Sequence, residues 1–449
     1  MDGYGGRISV VEAVSAWLKN CVVPPTTLIV AYSGGRDSHV LLDALVLLRT
    51  RFYPTFTLRA LHVNHGIQAQ AADWATHCAK VCAIYDVPFN TISLMMPIKG
   101  KESLEAQARQ LRYQAFNQQI RSGEILLTAH TQTDQAETFL LQLLRGSGLA
   151  GLASVASFKK LGKGFVGRPL LTISREQIAA YAQTAKLKWI EDPSNQVLRF
   201  RRNYLRQQII PLVQQTYPAA SACIARSAHL IANAHQLLDF YLDAELKTCQ
   251  GPALHTLDLT VFRTLPSLKQ APLLRYWLQQ NGALCPSQKK LTALLEQMLH
   301  AKTDAQPCIT WGKYRVRRYA GLLYLEEATQ AMNSFSSVRW HLETPLQWAT
   351  GSWQAKRVQG QGLCEKKIAT GQLQVCARQG GERCQPLHAS QRRPLKKCLQ
   401  EYNVPPWLRY TLPLFYYDQA LVGVGNLFIC EGWQVSHPEE YGWIIEKVS

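Results

Sequence analysis

With 449 residues, 47% of them apolar, the chain is long enough for about two to four domains with full cores. Its formal charge of +18 and pI of about 9.4 favour a polyanionic partner. No run approaches the ~20 uninterrupted apolar residues of a membrane span, and the opening residues MDGYGGRISVVEAVSAWLKN lack a signal-peptide pattern. The 12 cysteines include no CxxC pair, as expected of reduced thiols in a cytoplasmic enzyme.

Leu28, Ile29 and Val30 form a short apolar run, partly β-branched, that predicts a strand buried on both faces. The turn Ser33-Gly34-Gly35-Arg36-Asp37-Ser38 follows, and His39 to Leu48 is predicted to be helical. Strand, glycine turn and helix N-terminus together bind phosphate: glycine admits a close anion, serine hydroxyls donate, and the helix dipole favours negative charge. The GxxxxGK[ST] spacing of a Walker A loop is missing. Asp37 makes sense inside an anion loop if it holds Mg²⁺ against the phosphates.

Thr57–Val63 is the second predicted strand, leading into Asn64-His65-Gly66, and Phe89–Ser93 is the third, after a helix over Trp74–Ile84. A helix over Glu102–Ile120 carries Glu105, Arg109 and Arg112, which read either as solvated charges or as substrate contacts. Glu124–His130 is the fourth strand, followed by a helix over Asp134–Arg145 that stops at Gly146-Ser147-Gly148. Such alternation implies a parallel sheet with ligands outside the carboxyl ends of its strands. Ser33–Ser38, His65, His130, Asp134 and Glu137 are therefore expected to line one crevice. Asp134 and Glu137, three apart, would share a helix face; they complement the helix dipole or, with Asp37, clamp Mg²⁺ and pyrophosphate.

Beyond the crevice elements, Arg199, Arg201, Arg202 and Arg206 concentrate charge suited to phosphate oxygens. Residues 213–335 are predicted to be mainly helical, with helices over Ser221–Leu246, Leu268–Gln280 and Lys289–His300. Ile309–Tyr319 alternates basic and aromatic residues, as an RNA-contacting hairpin or an ordinary amphipathic strand pair would. Apolar order is lost over Ala328–Phe335, a candidate linker. Between Arg378 and Arg409 basic residues outnumber acids, and Arg392, Arg393, Lys396 and Lys397 beside an exposed Trp407 fit RNA contact. After Pro405-Pro406-Trp407 the chain is strand-like, with a turn at Asp418-Gln419.

SGGRDS behind an apolar strand resembles the PP-loop of the N-type ATP pyrophosphatases, which cleave ATP to AMP and pyrophosphate. Ala129–Val155 (AHTQTDQAETFLLQLLRGSGLAGLASV), Arg168-Pro169-Leu170-Leu171, WIEDPSN over Trp189–Asn195 and RNYLR over Arg202–Arg206 narrow this to the tRNA(Ile)-lysidine synthetases. The C-terminal RRPLKKCLQEYNVPPW segment is similar to the C-terminal domain of that family. One departure is Thr133, where the family carries the first acid of a doublet.

The resemblance implies an α/β fold. It comprises a PP-loop (adenine nucleotide alpha hydrolase-like) domain over 1–212, a mainly helical domain over 213–335 and a small mixed α/β tRNA-binding domain over 336–449. It implies ligation of L-lysine to C2 of the wobble cytidine of tRNA(Ile) with a CAU anticodon, consuming ATP with Mg²⁺. Asp37, Asp134 and Glu137 would be catalytic, Asp37 and Asp134 the metal ligands, and Ser33, Gly34, Gly35, Arg36, Asp37 and Ser38 the ATP site. Substrate contacts would fall to His65, Glu105, Arg109, Arg112, His130, Arg202, Arg206, Arg392, Arg393, Lys396 and Lys397. Lysine's amine would be deprotonated by Glu105, Glu137 or Glu191. A tRNA 2-thiolating relative is the rival, disfavoured by the missing CxxC. The oligomeric state is left open.

Overall fold

The computed structural model describes residues 3–21, 27–51, 56–64, 71–94, 104–253, 255–302, 305–328, 337–349, 351–368, 372–387 and 389–448. The chain divides into two compact units, Met1–Asp239 and Phe240–Ser449.

In the first unit β1 (Thr27–Ala31), β2 (Thr57–Asn64), β3 (Phe89–Ser93), β4 (Ile125–Leu127), β5 (Phe158–Leu161) and β6 (Gly164–Gly167) form one sheet in the order β3-β2-β1-β4-β6-β5. Its pairings are parallel except at the β5–β6 edge. Alternation along β1 explains its burial: Leu28 and Val30 join one core cluster, and Ile29 joins the other. The larger cluster takes in α1 (Gly3–Lys19), α2 (Arg36–Arg51) and α3 (Ala71–Ile84), whereas Phe116 and Ile120 from the region of α4 (Leu104–Gln119) belong to the smaller one. Then come α5 (Gln132–Leu143), the short α6 (Leu149–Leu152) and α7 (Arg175–Thr184). α8 (Arg201–Tyr204) passes through a π turn at Leu205–Ile209 into α9 (Ile210–Thr216), and α10 (Ala220–Cys249) follows.

The order reverses at β1. Connections from β1 run outward to β2 and β3, while β4 lies on its other side, so a crevice opens between the carboxyl ends of β1 and β4. The predicted strands and helices match closely here. The β5–β6 hairpin is an addition, because four-residue strands closed by a glycine turn leave too short a pattern to read locally.

The second unit begins with helices α11 (Leu259–Thr264), α12 (Ser267–Gln280) and α13 (Gln288–His300) beside a four-stranded antiparallel sheet. That sheet comprises Thr256–Asp258, Cys308–Trp311, Tyr314–Tyr319 and Leu322–Glu327, so the mainly helical middle region also holds strands. The hairpin expected at Ile309–Tyr319 is present, and its alternation serves packing. Trp311, Tyr314 and Arg318 are buried, Arg318 donates to the Met298 and Ala301 carbonyls at 3.0 and 2.9 Å, and Arg315 and Arg317 face Glu326.

The C-terminal part is realised as antiparallel sheets around Trp340, Trp353, Phe415 and Trp443, together with helix α14 (Leu395–Glu401). α14 ends in a Schellman arrangement: Val404 N–H donates to Leu399 O, Asn403 N–H donates to Gln400 O, and Asn403 takes φ +53°. The predicted turn at Asp418-Gln419 has positive φ at both residues, as a tight hairpin requires. Trp407 is not the exposed platform expected. Its ring packs against Tyr319 and Tyr324, with the Arg317 guanidinium 4.7 Å from its centroid.

Candidate active site

The phosphate loop leaves β1 and enters α2 in the turn Ser33–Ser38. Ser38 Oγ donates to Gly35 O at 2.9 Å and lies 3.1 Å from Ser33 Oγ, so the two hydroxyls brace the turn. Gly34 has φ +81°, and a Cβ there would lie 2.8 Å from Ile190 Cδ1 and 2.9 Å from Cys78 Sγ. Ile190 N–H donates to Gly34 O at 3.0 Å, so the WIEDPSN segment closes directly on the loop. Asp37 stands in the first turn of α2 with Arg36 Nε 3.3 Å from its Oδ1.

Across the switch point, Thr131 caps α5. Its N–H and hydroxyl donate to Asp134 Oδ2 at 2.8 and 3.1 Å, so the dipole-complementing reading of Asp134 is realised in part. The other Asp134 oxygen faces Arg206 at 3.1 Å and Arg202 at 3.4 Å. Glu137, with no exposed side-chain surface, accepts from Arg206 Nε at 2.5 Å and from Arg202 Nε at 2.8 Å. Two carboxylates and two guanidiniums thus form one buried network, its arginines carried by α8 and the π turn. Burial alone would raise the Asp134 pKa; the Arg202 and Arg206 guanidiniums outweigh it and hold the carboxyl below its ordinary value.

Arg175, the first residue of α7, lies within electrostatic reach of Asp37, Glu137, Arg36 and Arg206, linking the loop to this network. It was not among the predicted site residues. The signal was legible in Ser174-Arg175-Glu176-Gln177, where the reciprocal Ser174–Gln177 cap places Arg175 at a helix start. His130 Nδ1 lies 2.8 Å from Thr128 Oγ1; burial pushes its pKa down, Asp134 opposes the shift, and Arg168, Arg202 and Arg109 add to it. Arg168, also missed, is 5% exposed; it donates to Ala156 O at 2.6 Å and to Tyr113 Oη at 3.1 Å, while its Nε has no partner.

A cleft of about 1570 Å³ opens beside the network, lined by Arg109, Arg168, Arg199, Arg201, Arg202 and Arg226 among others. Asp239 is the one acid among its described lining residues. Arg202 has this cleft on one side and Glu137 on the other. Ser33–Ser38 are not among the lining residues.

Of the other predicted contacts, His65 and the Glu105 side chain lie outside the described residues, and Arg112 is half-buried on α4. Arg392, Lys396 and Lys397 are exposed in the second unit, whereas Arg393 pairs with Glu401 at 2.8 Å. Arg378 pairs with Glu382, and Arg409 is buried with Nε donating to Val404 O, so neither adds to a surface patch.

Profiles for the PP-loop domain, the TilS substrate binding domain and the TilS substrate C-terminal domain match residues 9–213, 257–324 and 373–446. The curated tRNA(Ile)-lysidine synthase of Coxiella burnetii is 39% identical over 93% of this chain and 92% of its own. That of Escherichia coli O157:H7 is 37% identical over 90% and 93%. The chain belongs to the tRNA(Ile)-lysidine synthase family. Among solved structures, the U34-tRNA thiolase NcsA from Methanococcus maripaludis aligns with 51% of this chain and 80% of its own, at 18% identity and TM-score 0.44. Membership in the lysidine synthase family makes the chain a tRNA-modifying PP-loop ligase that uses ATP, and the thiolating alternative is not favoured. No helix among the described residues is long and apolar enough to cross a membrane.

The family's use of ATP implies a divalent cation, and the donors fit one. Asp37 has Arg36 as its one ion-pair partner among the described residues, is one-third exposed, and sits among serine hydroxyls, the hard oxygens that Mg²⁺ prefers. Asp134 Oδ1, held by Arg202 at 3.4 Å and Arg206 at 3.1 Å, is the second candidate oxygen.

Proposed function

We propose that the chain ligates L-lysine to C2 of the wobble cytidine of tRNA(Ile) with a CAU anticodon, releasing AMP and pyrophosphate and changing the codon read from AUG to AUA. The observation that carries this reading is one crevice in which the PP-loop faces the Asp134–Glu137–Arg202–Arg206 network, with an arginine-lined cleft alongside. The cleft's charge suits an RNA backbone, and the loop's amides suit a leaving pyrophosphate.

The cytidine O2 attacks the α-phosphate, and Ser33–Ser38 receive the pyrophosphate as it departs. Arg36 and Arg175 add positive charge beside that loop. Asp37 and Asp134 would hold Mg²⁺, which supplies charge neutralisation when bound. Arg202 and Arg206 fix the two α5 carboxylates, and Arg109, Arg199 and Arg201 orient RNA phosphates in the cleft. Lysine's amine then attacks C2, and AMP leaves.

The test is transfer of labelled lysine by the purified chain to tRNA(Ile) transcripts with a CAU anticodon, in the presence of ATP and Mg²⁺. Stoichiometric, ATP-dependent labelling confined to the wobble position is expected. Absence of labelling with correctly folded transcript would sink the reading.

A further inference from the structure

Lysine arrives as an ammonium, with an ordinary pKa near ~10.4, and its nitrogen must shed a proton before it can bond to carbon. Around the phosphate loop most acids are already engaged. Asp37 has Arg36, and Asp134 and Glu137 have Arg202 and Arg206. Glu176 is stabilised as a carboxylate chiefly by the Ser174 hydroxyl, at the start of α7.

Glu191 differs from all four. It is exposed and has no ion pair among the described residues. Its backbone, by contrast, is fixed against the loop. Ile190 donates its N–H to Gly34 O at 3.0 Å, its side chain fills the space a Gly34 Cβ would take, and its carbonyl oxygen lies 4.0 Å from the corresponding Gly35 position. Two residues earlier, the Lys188 carbonyl is hydrogen-bonded by the buried His39 of α2. An unpaired carboxylate is thereby tethered, at a fixed attachment point, beside the turn over which the base is adenylated.

We propose that Glu191 receives the ε-ammonium of lysine and takes one of its protons, freeing the lone pair that then forms the Nε–C2 bond. The C2–O bond breaks in that step, its electron pair leaves with AMP, and the second proton on Nε passes to solvent. The assignment rests on the lysidine-forming reading above and names the residue that serves its second half.

The two halves separate experimentally in the full-length protein. Pyrophosphate release with tRNA and ATP but no lysine reports adenylation; labelled lysine incorporation reports transfer. For Glu191→Gln, adenylation is expected to stay within about twofold of the unmodified chain while transfer falls roughly 100-fold. That deficit should shrink as pH rises from 7 toward 9, because more lysine is then already neutral, and Glu191→Asp should recover part of the rate. Equal loss of both halves, a deficit that does not change with pH, or unchanged transfer would overturn the proposal. If the unmodified chain adenylates tRNA but never transfers lysine, the underlying reaction is wrong and this role falls with it.

Discussion

Two regions rich in positive charge behave in opposite ways. In the crevice, Arg202 and Arg206 turn inward onto Asp134 and Glu137, and Arg168 onto a carbonyl and a tyrosine hydroxyl. Along the C-terminal segment, Arg392, Lys396 and Lys397 face solvent, although Arg378 and Arg409 nearby do not. Guanidinium forks can be satisfied by fixed oxygen pairs and tolerate burial, whereas the strongly hydrated ammonium stays outside. Net charge counted along a chain therefore overstates the charge presented to RNA, and position within the fold decides which arginines remain available.

Four substitutions or conditions sharpen that contrast. The largest effect belongs to Asp37→Asn, which is expected to cut pyrophosphate release by at least about 10³-fold with an unchanged melting temperature. Retained release would remove Asp37 from the chemistry. Next comes Glu137→Gln, which strands two guanidiniums against a neutral amide. It should cost about 3–5 kcal/mol of stability in urea titration, besides activity. A loss below about 1 kcal/mol would mean the network is not the internal structure described here.

Replacing Arg392, Lys396 and Lys397 together with Ala should do the reverse: no change in urea midpoint, and a salt dependence of tRNA binding shallower by about 2–3 in log–log slope. Adding Arg393→Ala should change the slope less than any of the three, since Glu401 already holds that side chain. An unchanged slope would reassign the patch to bare solvent exposure. The smallest effect is in pH. Burial lowers the pKa of His39 and His62 beneath the ordinary 6.5, so below that value the unfolded chain binds more protons than the folded one. Stability should be full above pH 6.5 and fall beneath it, by at most about 1.4 kcal/mol per pH unit for each histidine. A urea midpoint that stays flat between pH 7.5 and 5.5 would contradict this.

Much of the crevice was legible because local pattern carried it. The apolar run at Leu28–Val30, the SGGRDS turn and the placement of Asp134 and Glu137 on one helix face needed no distant partner. What holds those acids was less legible: Arg202 and Arg206 lie 65 to 72 residues further along the chain. Their charge was visible, but their direction was not. Trp407 misled for the same reason, since its cover comes from Tyr319 and Tyr324, on a hairpin far earlier in the chain. The basic–aromatic alternation of Ile309–Tyr319 gave a hairpin correctly, yet alternation alone cannot say which face is buried.

Gly34 carries a consequence for how this loop can change over time. Its constraint has two separable origins: a backbone at φ +81°, and side-chain space already filled by Ile190 and Cys78. Ile190→Val would remove the methyl that crowds a new Cβ, yet the sulfur at 2.9 Å and the conformational penalty of about 1–2 kcal/mol would persist. Epistasis between positions 34 and 190 is therefore one-sided. The neighbour can ease an alanine at 34 but never make it neutral, and the turn stays glycine however the wall behind it drifts.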